Sequence, residues 1–98
     1  MNIYLFCNAG MSTSMVASMA QQSFATKGRT DIVLEAFDMS MLPDVIDEAD
    51  MVVLGPQIAW QLEKIQKEYP EKKVVLLTMQ EFGSMNGDVI SARLEKEM

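Results

Sequence analysis

The sequence predicts an α/β fold, one domain over residues 1–98 built on a parallel sheet with helices on both faces. Two observations carry that expectation. Apolar residues alternate between short continuous runs and helical spacing along the whole chain. The breaks fall on Gly28, Gly55-Pro56 and Pro70, residues that end helices and turn chains.

Each element follows in order. Ile3 to Phe6 is a short apolar run ending in Cys7 and reads as a buried strand. From Ser14 onward Met15, Val16, Met19, Ala20 and Phe24 recur at helical spacing, with Lys27 in the last turn and Gly28 as the stop. Ile32 to Phe37 is the second strand. Pro43 to Glu48 reads as a short acidic helix with proline in its first turn and Asp44, Asp47 and Glu48 on a solvated face. Met51 to Leu54 is a third buried run. Ile58, Leu62, Ile65 and Tyr69 then mark one helix face, with Glu63 and Lys67 paired four apart outside it. Val74 to Leu77 is the fourth strand. A loop with Gly83 and Gly87 precedes a last helix carrying Val89, Ile90 and Leu94.

Composition removes several function classes. The formal charge of −6 and the single adjacent basic pair, Lys72-Lys73, argue against nucleic acid. No apolar stretch approaches the roughly 18–20 residues of a membrane span, and the start shows no basic leader, so a cytoplasmic protein is expected. The absence of histidine removes Ser-His-Asp triads, Cys-His pairs and most zinc sites. One cysteine allows no intrachain disulfide, no CxxC pair and no thiolate metal cluster, and no cofactor or metal is expected. Ten methionines read as flexible gap-fillers of the core.

Covalent chemistry therefore centres on Cys7. Residues 7–14 read Cys7-Asn8-Ala9-Gly10-Met11-Ser12-Thr13-Ser14, a thiol at a strand end followed by small residues and a helix start. The helix end offers unsatisfied N–H groups and about half a positive charge. Loop amides can curl into an anion-binding nest with Gly10 free to take positive φ, and three hydroxyls add donors. That setting favours the nucleophilic thiolate. With the first basic residue at Lys27 and the first acidic one at Asp31, backbone amides and hydroxyls would hold an anion here, unless a distant loop supplies charge. In ligand-binding sheets of this class the site lies where strand order reverses. A central first strand would put Cys7 there, beside Gly55-Pro56-Gln57.

The spacing resembles the Cys-x5-Arg-Ser loop of low-molecular-weight tyrosine phosphatases, with Thr13 where the arginine stands. Without an arginine clamp to stabilise a transferring phosphoryl group, a persistent phosphocysteine fits better than hydrolysis. A buried structural cysteine beside a capped helix is the plain alternative.

The eight residues from Cys7 to Ser14 closely resemble the phosphorylation loop of enzyme IIB in the lactose/cellobiose (lactose–chitobiose) family of the phosphoenolpyruvate-dependent sugar phosphotransferase system. Leu54-Gly55-Pro56-Gln57-Ile58-Ala59 resembles a second block of that family, and Phe82-Gly83-Ser84-Met85-Asn86-Gly87 its late glycine loop. The resemblance implies a four-stranded parallel sheet in the order 2-1-3-4 with a phosphatase-like loop after the first strand. It implies that Cys7 takes phosphate from a phosphohistidine of IIA and gives it to a sugar on the membrane component IIC, a cellobiose-, chitobiose- or lactose-type disaccharide. Asn8, Ala9, Gly10, Met11, Ser12, Thr13 and Ser14 then form the phosphate cradle. Gly55, Pro56, Gln57, Phe82 and Gly83 are candidates for docking or active-site support. Asn8 stands where serine is common in the family, and Phe82 where tyrosine is expected. Trp60 reads as a helix-packing residue or an interface anchor. A monomer when isolated suffices.

Two alternatives remain at this point: a phosphatase or arsenate reductase of the related loop type, and a non-catalytic regulatory α/β module. Thr13 in place of arginine and the lack of a second cysteine count against the first.

Overall fold

The computed structural model describes residues 1–8 and 11–98, and for Met11 and Ser12 the backbone alone. Its strands are β1 (Asn2–Cys7), β2 (Val33–Asp38), β3 (Met51–Leu54) and β4 (Lys73–Leu76). They form one sheet in the order β2-β1-β3-β4, and every pair is parallel. The helices are α1 (Met11–Thr26), α2 (Leu42–Val45), α3 (Leu62–Glu68), α4 (Met79–Gly83) and α5 (Gly87–Glu97).

The pleat explains why β1 and β3 read as continuous apolar runs. Successive side chains leave opposite faces, and both faces are covered. Ile3, Leu5, Met51 and Val53 pack with Val16, Ala17, Ala20 and Phe24 of α1 and with Ile90 and Leu94 of α5. Tyr4, Phe6, Val52 and Leu54 pack on the other face with Leu42, Ile46, Ile58 and Ile65. Phe37 joins this second core edge-on to Tyr4 at 4.9 Å and stacked on Phe6 at 5.8 Å. Phe6 and Phe24, both fully buried, each contribute roughly 1.5–3 kcal/mol by leaving water.

The free edge of β2 is partly covered from within. Gln21 of α1 donates to the Ile32 carbonyl and accepts from the Leu34 amide, both at 2.6 Å, and so occupies places a further strand would use.

Several sequence expectations need correction. α1 begins at Met11, three residues before Ser14 where the helical spacing was expected to start. Its stop is as expected, with Gly28 at φ +82°. The Pro43–Glu48 helix is a single α turn, α2, flanked by 3₁₀ turns at Met39–Met41 and Ile46–Glu48. The helix around Ile58 is a 3₁₀ turn, Pro56–Gln61, kinked at Ile58 before α3 starts at Leu62. The expected loop after β4 contains α4. Thr78 accepts from the Glu81 amide and the Glu81 carboxylate accepts from the Thr78 amide, a reciprocal cap legible as Thr78-x-x-Glu81. Val89 is exposed, while Ile90 and Leu94 face the core. The methionines are the largest miss: Met51 is in the core, but Met1, Met15, Met41, Met79, Met85 and Met98 are exposed.

Candidate active site

β1 delivers Cys7 to the carboxyl end of the sheet, between β2 on one side and β3 on the other. The chain leaves β1 for β2 and then crosses back to β3, so strand order reverses at β1. On the β3 side the Gly55 amide donates to the Phe6 carbonyl at 3.1 Å, which extends the ladder one step beyond the strand. That step sets Gly55 beside the thiol.

The space around sulfur is tight. A Cβ on Gly55 would stand 2.8 Å from Gln57 Oε1, 3.4 Å from Cys7 Sγ and 3.5 Å from Phe82 Cε2. Glycine is needed at this position for close approach, since any side chain would displace the Gln57 amide. The Cys7 thiol donates to Gln57 Oε1 at 3.5 Å, within the range for sulfur. Cys7 is only 2% exposed, so the thiol lies deeper than an open loop position would give.

α1 supplies the positive end. Thr13, in its first turn, is fully buried, and its hydroxyl oxygen has no hydrogen-bond partner among the described residues. A buried unpartnered hydroxyl costs about 1–3 kcal/mol, so it marks a place where a polar group belongs. Ser14, the next residue, is exposed.

The electrostatics differ from those the chain order suggested. Asp38, the last residue of β2, lies in register with Cys7. Its carboxylate accepts from the Ser40 hydroxyl at 2.6 Å and from the Ser40 amide at 3.1 Å. Those bonds hold its carboxyl below the usual carboxylate range. A fixed negative charge thus stands one strand from the thiol, supplied by a residue 31 places away in sequence. Nothing in the spacing around Cys7 announced it.

The comparisons with known proteins bear on this geometry. The model of the phosphotransferase system lactose/cellobiose-specific IIB subunit matches residues 2–93. The chain belongs to that family. The galactose-specific EIIB component of Lactococcus lactis subsp. cremoris is 31% identical, over 98% of this chain and 94% of its own. The cellobiose-specific EIIB component of Lactococcus lactis subsp. lactis gives the same identity and coverage. Among solved structures, the cellobiose-specific IIB component of Borrelia burgdorferi aligns at TM-score 0.77 and 28% identity, over 99% of this chain and 90% of its own. The lactose-specific IIB domain of Streptococcus pneumoniae aligns at TM-score 0.86 with 11% identity, over 99% and 96%, a likeness of fold.

In this IIB chain the sequence candidates are distributed as follows. Cys7, Gly55, Gln57 and Phe82 come together, with Thr13 buried at the start of α1. Asn8 is exposed just beyond β1. Ala9 and Gly10, and with Gly10 the expected positive φ, lie outside the described residues, as do the Met11 and Ser12 side chains. Pro56 begins the 3₁₀ turn that carries Gln57. Gly83 closes α4 with open space where a side chain would stand. Asp38 is the neighbour that sequence reasoning missed. Among the described residues no helix is long and apolar enough to cross a membrane, and no cluster of three or more acidic, cysteine or histidine side chains could hold a metal.

Proposed function

We propose that this domain, residues 1–98, is a phosphoryl carrier that holds phosphate on Cys7 between two proteins. The donor is a phosphohistidine on IIA and the acceptor a sugar on the membrane component IIC. The single observation that carries this reading is the lone thiol at the switch point, beside a helix start whose buried Thr13 hydroxyl has no partner among the described residues.

In the first step Cys7 Sγ attacks phosphorus, an S–P bond forms, the N–P bond to the donor imidazole breaks, and the thiol proton leaves to the imidazole. In the second a sugar hydroxyl attacks phosphorus, the S–P bond breaks, and the sulfur regains a proton as the sugar oxygen loses one. Amides at the α1 start and the Thr13 hydroxyl stabilise the charge on the phosphoryl oxygens. Thr13 cannot supply the bidentate charge of an arginine, so hydrolysis is slow and the phosphocysteine persists. Sustained turnover of a small aryl phosphate would contradict this.

Exposed apolar side chains support protein-to-protein transfer. Met79 at 71%, Trp60 at 70% and Met15 at 57% exceed half exposure, and each lies in the segment that follows the carboxyl end of a strand. We assign them to docking of the partners. The chain is cytoplasmic on this reading, reaches the membrane's inner face only through IIC, needs no cofactor, and is a monomer when isolated. The sugar is a disaccharide of the cellobiose, chitobiose or lactose type.

Intact mass after incubation with phosphoenolpyruvate, enzyme I, the phosphocarrier protein and cognate IIA tests the core of this. One phosphoryl increment is expected, absent in Cys7→Ser. A full increment in that variant would remove Cys7 from the mechanism.

A further inference from the structure

Gln57 touches the buried thiol from an exposed position. Gly55 leaves the space its amide occupies, and Phe82 walls the same space from α4. The oxygen Oε1 is an acceptor only, so in this pose it can pair with the S–H of Cys7 but has nothing to donate to a bare sulfur. A thiolate or a phosphorylated sulfur has no proton to give and would set its lone pairs against Oε1. The amide has a second face. A half-turn of its terminal torsion, which is broad and roughly two-fold, replaces Oε1 with the two N–H donors of Nε2. The half-turn exchanges oxygen for NH2 within nearly the same outline, so the amide keeps its place beside Gly55 and Phe82.

We propose that Gln57 is a positioning residue acting as a two-position latch on Cys7. Its amide oxygen faces the protonated thiol at rest, and its amide N–H groups face the thiolate and the phosphoryl oxygens when the site is engaged. The thiol proton goes to solvent in the free protein and to the donor imidazole during transfer. The latch deepens the carrier reading and takes from it only that Cys7 is the reacting atom.

The test uses the unphosphorylated full chain and iodoacetamide as the probe, at pH 8. Gln57→Met keeps the length and loses both polar faces. Gln57→Glu keeps the shape and the acceptor but cannot turn a donor to sulfur. Asp38, in register with Cys7, is unchanged in both variants. The expected order of alkylation is wild type, then Gln57→Met several-fold slower, then Gln57→Glu at least about tenfold slower, the loss for one hydrogen bond to a charged group. A Gln57→Met rate at or above wild type would mean the side chain merely covers the thiol. A Gln57→Glu rate near wild type also overturns the latch. In amide-resolved NMR the Gln57 side-chain protons should move downfield as the thiolate forms, and should not in Cys7→Ser; immobile signals in the wild type overturn the latch independently. These arms need no phosphodonor. A failed latch therefore leaves Cys7 phosphorylation standing, and a Cys7 that takes no phosphate leaves the alkylation order to be judged by itself.

Discussion

The two ends of the sheet are built differently. At the amino end, side chains tie distant segments together. Asp50 accepts from the Asn2 amide at 2.7 Å, Asn2 Nδ2 donates to the Glu48 carbonyl at 2.9 Å, and Lys72 Nζ donates to the Ala49 carbonyl at 2.8 Å. Lys73 reaches the Glu97 carbonyl at the end of α5. At the carboxyl end the polar bonds stay mostly local, as in Asp38 with Ser40 and Thr78 with Glu81. The most exposed apolar side chains lie in segments that follow strand ends, and among the described residues the Thr13 hydroxyl goes unpartnered. The Cys7–Gln57 contact and the 2.6 Å bond from Arg93 to the Glu81 carboxylate are long-range exceptions. The amino end ties distant segments together, and among the described residues the carboxyl end bonds mostly within short segments, which fits the proposed use of that end for chemistry and partners.

If that contrast is correct, variants at the two ends should separate stability from transfer. The largest effect is expected from Trp60→Ala combined with Met79→Ala. Loss of two exposed anchors should raise KM for phospho-IIA at least about tenfold, since interface aromatics commonly contribute about 2 kcal/mol or more. The melting temperature should hardly move. A KM near wild type would remove these residues from the docking face.

Thr13→Val sharpens the contrast, because its two effects should have opposite signs. Removing an unpartnered buried hydroxyl with little change of shape should leave the fold as stable or stabilise it by up to about 1 kcal/mol. Phosphoryl acceptance should slow roughly tenfold as a donor to a charged group is lost. Denaturant titration and rapid-quench transfer measure the pair. A destabilised variant with normal transfer would give Thr13 a purely structural role.

Asp50→Ala is the reciprocal case at the amino end. It removes the acceptor of the Asn2 amide and should cost about 1 kcal/mol in urea titration, with transfer from phospho-IIA unchanged. Slowed transfer at full occupancy of the folded state would show the ends to be coupled.

The smallest effect concerns Asp38. Its carboxyl is held below the ordinary range by Ser40, so the folded form binds its proton less readily than the unfolded chain. The resulting stability is present above the usual carboxylate range and is lost as pH falls through the lower, folded value. The side chain is exposed, so the acid limb of the stability curve should flatten only slightly in Asp38→Asn. Chemical denaturation between neutral pH and the acid range checks the sign.

Much of this was legible in the chain. The four strands, the buried faces of β1 and β3, the Gly28 stop and the position of Cys7 follow from apolar period and from glycine and proline placement, because those are local consequences of backbone sterics and burial. The reciprocal Thr78/Glu81 cap was equally readable and was missed, since a glycine-bearing segment suggested a loop. The methionines misled because flexibility suits a core gap and an exposed contact surface equally, and composition does not distinguish them.

Other features belong to the tertiary structure. That Asp38 lies in register with Cys7, that Gly55 opens room for Gln57 against the sulfur, and that Thr13 is sealed in without a partner among the described residues all depend on strand order and crossover. A parallel sheet brings the carboxyl ends of strands far apart in sequence to one rim. The sequence by itself determined that one thiol would stand at the end of a buried strand before a helix. Only the packing of β2 and β3 on either side of β1 decided which carboxylate, which amide and which glycine would surround it, because those neighbours are chosen by sheet topology and not by distance along the chain.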